Sequence, residues 1–143
     1  MKNLRVFSSN KSIAKKNVHK IVTALSQYFG LQIISLEVNI VSSEIVLELN
    51  KKYLKHNYNT DILTFNYSES NSNLEGEIFI SLEDAKNNSQ RFKNTLNEEL
   101  KRLIVHGILH LIGYNDSTKA EKREMSKLEN NILKSFKNLS IIK

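Results

Sequence analysis

The sequence predicts an α+β fold: one small mixed β-sheet with about five helices packed on it, in a single domain spanning residues 1–143. Three observations lead there. Short strand-like runs are interspersed with longer helical runs. Ser81, Thr95 and Thr118 each stand three residues before an acidic residue, the pattern that opens a helix. No Gly/Ser/Pro-rich linker and no repeat of roughly 20–50 residues divides the chain.

Taken in order, Leu4 to Phe7 is a short strand. Asn10 to Phe29 has helical spacing, with Ile13, Val18, Ile21, Val22, Leu25 and Phe29 as its apolar stripe. Lys15, Lys16 and Lys20 fall away from most of that stripe, and Gly30 is placed to stop the helix. Ile34 to Val41 alternates, Ile34, Leu36, Val38 and Ile40 against Ser35, Glu37 and Asn39, which predicts a half-buried strand. Ser42 or Ser43 caps a helix to about Lys55, with Ile45, Val46, Leu49 and Tyr53 inward. Asp61 to Asn66 is a strand rich in β-branched and aromatic residues. Tyr67 to Glu75 is a polar loop, and Gly76 to Ile80 is another strand. Ser81 with Asp84 opens a helix to about Lys93. Thr95 with Glu98 opens the most apolar helix, Leu96 to Ile112. Thr118 with Glu121 opens the last, to about Phe136.

Composition narrows the function. The apolar share is 40% and the charged share 25%, so whole-chain disorder is excluded. Cysteine is absent, which removes a disulfide framework, a thiolate zinc finger and a cysteine nucleophile. Proline is absent too, so collagen-like and Pro-rich readings fail. Leu4 to Phe7 runs straight into Ser8-Ser9-Asn10-Lys11, too short an apolar stretch for an export leader. No run approaches the ~18 apolar residues of a spanning helix. A cytoplasmic protein with no membrane partner is expected. The net charge of +6 fits an anionic partner such as RNA. The same crowding of Lys, Asn and Ile is what AT-rich codons supply, so charge alone does not name the partner.

The informative stretch is His106-Gly107-Ile108-Leu109-His110-Leu111-Ile112-Gly113-Tyr114-Asn115-Asp116. His106 and His110 are four apart in a helical segment, so their imidazoles lie one turn apart on one face and can chelate one ion. Gly113 sits where the helix must stop and permits a left-handed turn. Asp116 can then swing back toward the histidines. Two nitrogens and a carboxylate oxygen leave a fourth tetrahedral position for water, the open arrangement of a catalytic zinc site with one ion per chain. His19 and His56 lie in Lys-rich helical segments and read as surface residues. The same His spacing occurs in the peptidase pattern H-E-x-x-H-x-x-G-x-x-H. There the Glu after the first His is the general base, and here that position is Gly107.

The string Val105-His-Gly-Ile-Leu-His-Leu-Ile-Gly-Tyr114 resembles the signature of the YbeY family, bacterial endoribonucleases of ribosomal RNA maturation. Leu49-Asn50-Lys51-Lys52-Tyr53 with Thr60 to Phe65, Gly76 to Ile80, and Met125 to Leu133 with Glu129 inside it are similar to further family segments. The likeness covers roughly residues 35–135. It implies a single-strand-specific, zinc-dependent endoribonuclease acting at the 3′ end of 16S ribosomal RNA and in ribosome quality control, with ribosomal RNA and the ribosome or its small subunit as partners. Two departures stand out. The family usually has His as its third ligand, where this chain has Asp116. Carboxylate ligates zinc, but it acidifies the bound water less and weakens the preference over Mn²⁺, Fe²⁺ or Ni²⁺. The family commonly has an Arg after Tyr53 that is thought to contact phosphate, where this chain has Leu54. Either Lys51, Lys55 or Arg102 binds the RNA in its place, or cleavage is weaker or differently assisted.

The expected reaction is hydrolysis of an RNA phosphodiester by metal-bound water, or by the RNA's own 2′-hydroxyl with the metal as Lewis acid. No general base is evident within the motif. Asp61, Glu77 and Glu98 are the candidates, each with a structural alternative as strand start, sheet edge or helix cap. Thr64 and Phe65 are candidates to line the cleft, and Tyr114 to orient a ligand. Two other functions stay open: a ribosome-assembly RNA-binding factor in which the metal mainly fixes the fold, and a peptidase, which Gly107 opposes.

Overall fold

The computed structural model describes residues 3–143; Met1 and Lys2, the first residues of the predicted domain, lie outside the described residues. The elements run β1 (Leu4–Ser8), α1 (Lys15–Phe29), β2 (Gln32–Val41), α2 (Ser43–Leu54), β3 (Ile62–Asn66), β4 (Asn73–Ser81), α3 (Leu82–Arg91), α4 (Leu96–Leu111) and α5 (Lys119–Lys134). Among the described residues they form one four-stranded sheet, ordered β1-β2-β4-β3. β1, β2 and β4 are parallel; β3 pairs antiparallel with β4 at the edge. The fold is α+β with a mixed sheet, as expected.

The deviations have local causes. α1 starts at Lys15, not near Asn10, because Ile13 bridges to Ile142 and the Ala14 amide donates to the Ile141 carbonyl. The entering chain is tied to the C-terminal segment instead of coiling. Gly30 does end α1, in the left-handed region at φ 65°. β2 lies between two parallel neighbours and buries five of its ten residues, the half-buried strand expected. A register shift between Ile33 and Ser35 turns Ile33 inward and leaves Ile34 40% exposed. α2 is capped by Ser42, but its buried positions are Val46 and Asn50, while Ile45 and Tyr53 are exposed. The stripe is rotated because the inward residue is polar: the Asn50 amide donates to the Tyr58 carbonyl at 2.9 Å and anchors the following loop. β4 begins at Asn73, since Asn73 and Leu74 pair with Gln32 and Ile33. The polar loop is correspondingly shorter than expected.

α4 positions the site. Ten of its residues are buried, among them Leu100, Ile104, Ile108 and Leu109. They join Leu36, Val38, Ile40, Ile78 and Ile80 of the sheet in one core. Each such aliphatic side chain contributes about 1.5–3 kcal/mol on burial. Gly107 lets α4 lie close to the sheet: a Cβ there would meet Ile62 and Ile78 side chains at 3.1–3.2 Å. Lys101, also buried, donates its ammonium to the carbonyls of Phe136 at 2.8 Å and Leu139 at 3.0 Å, which fastens the C-terminal segment to α4. Burial pushes that amine below its ordinary value.

Candidate metal centre

The two Nε2 atoms of His106 and His110 are 3.0 Å apart. Asp116 brings Oδ2 to 3.3 Å from one and 3.4 Å from the other. Helical spacing sets the first distance. The turn after α4 sets the others. Gly113 takes φ 103°, its amide donates to the His110 carbonyl at 3.1 Å, and the Tyr114 amide donates to the Leu109 carbonyl at 3.0 Å. That reversal returns the chain to the histidines. Among the described residues these three form the cluster of His, Asp and Glu side chains able to hold a metal.

The donor set fits a divalent ion. Tetrahedral bonds of about 2.0–2.1 Å place donors about 3.3–3.4 Å apart, which is close to the triangle observed. All three side chains are partly exposed, so the centre is reachable from solvent.

Glu129 of α5 completes the support. It is 5% exposed. Its Oε2 pairs with His106 Nδ1, and its Oε1 accepts from Arg102 Nη1 at 3.1 Å. Arg102 also donates to Asn130 Oδ1 at 2.8 Å. A proton on Nδ1 directed at Glu129 leaves the Nε2 lone pair for a metal. Burial works against charging His106, but the hydrogen bond to Glu129 and the charges of Glu129, Asp116 and Asp61 outweigh it and hold the imidazole above its ordinary value. The sequence signal for this brace is present in retrospect: Met125, Glu129 and Ile132 share a buried face of α5, and a carboxylate in such a stripe needs a partner.

The other candidates are dispersed. Asp61, at the start of β3, is near enough to His106 for each charge to act on the other. Its Oδ2 accepts from Asn88 at 2.9 Å, and burial raises its carboxyl despite that bond. Glu77 points to the sheet face opposite α4, where it accepts from the Tyr67 hydroxyl at 2.6 Å. Glu98 stays in the α4 cap with Thr95. Lys51 and Lys55 are exposed, on α2 and at its cap. Arg102 is engaged by Glu129 and Asn130. Thr64 shares the α4 side of the sheet, whereas Phe65 lies on the other face between the rings of Tyr53 and Phe79. Tyr114 packs toward Phe29, with ring centroids 6.4 Å apart. Leu54 is 41% exposed and brings no charge. His56 lies just past α2 rather than within a helix, stacked on Tyr58. A glutamate at Gly107 would press into Ile62 and Ile78, so the peptidase arrangement has no room for its base.

Known proteins resemble this chain in sequence and in fold. The chain is 41% identical over 122 residues to Endoribonuclease YbeY of Parabacteroides distasonis, covering 85% of each protein. It is 42% identical over 121 residues to Endoribonuclease YbeY of Bacteroides fragilis, covering 85% of this chain and 86% of that one. The solution structure of TM1509 from Thermotoga maritima superposes with a TM-score of 0.62 at 26% identity, over 94% of this chain and 91% of that one. The family model for Endoribonuclease YbeY matches residues 3–137, and with a relative this similar over most of its length the chain belongs to the YbeY family.

Proposed function

We propose that this protein is a zinc-dependent, single-strand-specific endoribonuclease that matures ribosomal RNA at the 3′ end of 16S RNA and serves ribosome quality control in the cytoplasm. Ribosomal RNA and the ribosome or its small subunit would be its partners. The observation that carries the reading is the His106–His110–Asp116 triangle, with sides of 3.0, 3.3 and 3.4 Å, in a chain of an endoribonuclease family.

His106 and His110 would hold the ion through Nε2, and Asp116 through Oδ2. A divalent ion held there supplies Lewis-acid activation of water and of a phosphate oxygen. Glu129 keeps His106 in the ligating tautomer and fixes its ring. Of the three carboxylates proposed from sequence as base, Asp61 is the one whose charge is felt at His106. It is therefore our candidate to take the proton of the attacking hydroxyl.

A second reading has its own observation. Leu54 is uncharged, and Arg102, one of the three cations proposed for RNA, is engaged by Glu129. An assembly factor that binds RNA with little cleavage would tolerate this. The two separate on a structured ribosomal RNA fragment incubated with metal-loaded wild type and an identically purified His110→Ala protein. Cleavage by wild type alone is the expected result. Equal cleavage by both would point to contamination or another site. No cleavage by either would favour the assembly factor, with Leu54→Arg as the next variant.

A further inference from the structure

Beyond the metal centre, α4 and α5 leave a groove of about 770 Å³. It opens at Arg102 and Asn130, beside the brace on His106, and is lined further along by Lys134 and Lys137. A second cavity of about 470 Å³ shares Lys134 and Lys137 and adds Lys20 from α1. One turn back along α1 lies Lys16, in a third cavity whose lining includes three more lysines. Among the described residues lining all three, Glu98 is the one carboxylate side chain, and it is occupied in the α4 cap. The positive charge thus runs as a seam from the Arg102 end of the α4–α5 groove, which Glu129 links to His106, through the shared Lys134 and Lys137 to Lys20 of α1, with Lys16 one turn further.

We propose that this seam is the binding surface for the phosphate backbone of single-stranded RNA flanking the bond at the metal centre; the inference rests on the function proposed above. A row of ammonium groups that outnumbers the one lining carboxylate side chain, Glu98, attracts a partner carrying negative charge at regular intervals. Contacts to that backbone release condensed counterions, so they act together where isolated surface pairs contribute little. Position selects the partner, because a strand whose reacting phosphate reaches His106, His110 and Asp116 continues naturally into the adjoining groove. Along α4, His106 stands about 12 Å from Glu98, which lines the groove that opens at Arg102. The lysines would therefore grip phosphates several positions from the cut, and substrates too short to reach them would bind weakly.

The test is binding of a fluorescently labelled single-stranded RNA, by anisotropy in chelator so that nothing is cleaved, over a series of salt concentrations. Lys20→Gln/Lys134→Gln/Lys137→Gln changes three exposed residues and keeps the fold. The charge-matched control is Lys52→Gln/Lys86→Gln/Lys93→Gln, also exposed. The seam variant should bind roughly tenfold or more weakly at low salt, with the slope of log affinity against log salt reduced by about two. The control should stay within twofold of wild type. Equal affinity and slope in seam variant and control would overturn the inference. Tighter binding of polyglutamate than of RNA would also overturn it, in favour of an acidic protein partner. Cleavage is read in parallel on the metal-loaded proteins. If wild type cleaves and the seam variant matches the control, the surface assignment fails and the nuclease reading stands. If wild type does not cleave but the seam variant loses RNA affinity, the surface stands and the nuclease reading fails.

Discussion

Glu129 shows how one residue decides whether a pair of histidines becomes a site. The two imidazoles at i and i+4 were legible as a pair on one face because helical geometry alone puts them together. Their orientation was not, since it depends on a carboxylate 23 residues away in sequence. Glu129 is buried with both oxygens engaged, one on His106 and one on Arg102. Glu129→Gln keeps the volume but removes the charge, so the His106 tautomer loses its anchor. Metal affinity should fall about 10–100-fold, read by competition with a chromophoric chelator, while far-UV circular dichroism stays unchanged. Undiminished affinity would show that the brace does not tune the site. A second carboxylate acts on the opposite sheet face. The hydrogen bond from Tyr67 to Glu77, with burial adding to it, pushes the phenol up to about 12. The neutral phenol is the favoured form in the folded chain, so this contribution is full below the ordinary value near ~10 and is lost as pH rises toward the folded one. Glu77→Gln should bring the Tyr67 titration back toward ~10, seen as phenolate absorbance that a Tyr67→Phe background lacks.

At the scale of elements, capping residues read well because they act within four positions. Ser42, Ser81, Thr95 and Thr118 all accept from the amide three residues on, and Thr118 with Glu121 closes a full capping box. Facing and register read poorly because they are set by neighbours. Ile34 kept the alternation but lost the core to a register shift, and α2 turned a polar residue inward. Gly76 is the sharpest case of a neighbour's demand. It pairs with Asn66 at the end of β3, and a Cβ at 76 would stand 2.3 Å from the Phe65 carbonyl oxygen and 3.2 Å from Leu111. The first contact is backbone, which cannot rotate away. Gly76→Ala must then part β4 from β3, the edge strand whose Asn66 amide also donates to the Leu111 carbonyl near the end of α4. We expect a loss of more than about 2 kcal/mol in urea unfolding, beyond the range of ordinary surface changes. By contrast, exposed Lys52→Ala on α2 should stay within about 0.5 kcal/mol. Similar losses for the two would mean that β3 shifts to accept a methyl group.

Across the whole molecule the candidate metal centre joins parts that the chain connects only distantly. His106 and His110 come from the central helix, Asp116 from the turn beyond it, and Glu129 from α5 braces the set. The unfolded chain keeps none of this geometry, so an ion that binds there binds the folded state almost alone. Its effect on stability then follows from mass action. At a free metal concentration a hundredfold above the dissociation constant, binding stabilises by about 2.7 kcal/mol. For a chain of this length each kcal/mol moves the melting temperature by roughly 2–4 °C, so chelation should lower Tm by roughly 5–10 °C. His110→Ala should melt at one temperature with or without metal. Because His110 is partly exposed and outside the packed core, that variant should remain folded, and its circular dichroism is the control. A wild-type Tm indifferent to zinc, manganese and iron alike would mean that the triangle holds no ion. If zinc alone raises Tm, the Asp116 ligand has not broadened metal choice; comparable shifts with manganese or iron would show that it has, because a carboxylate gives harder ions a ligand they accept.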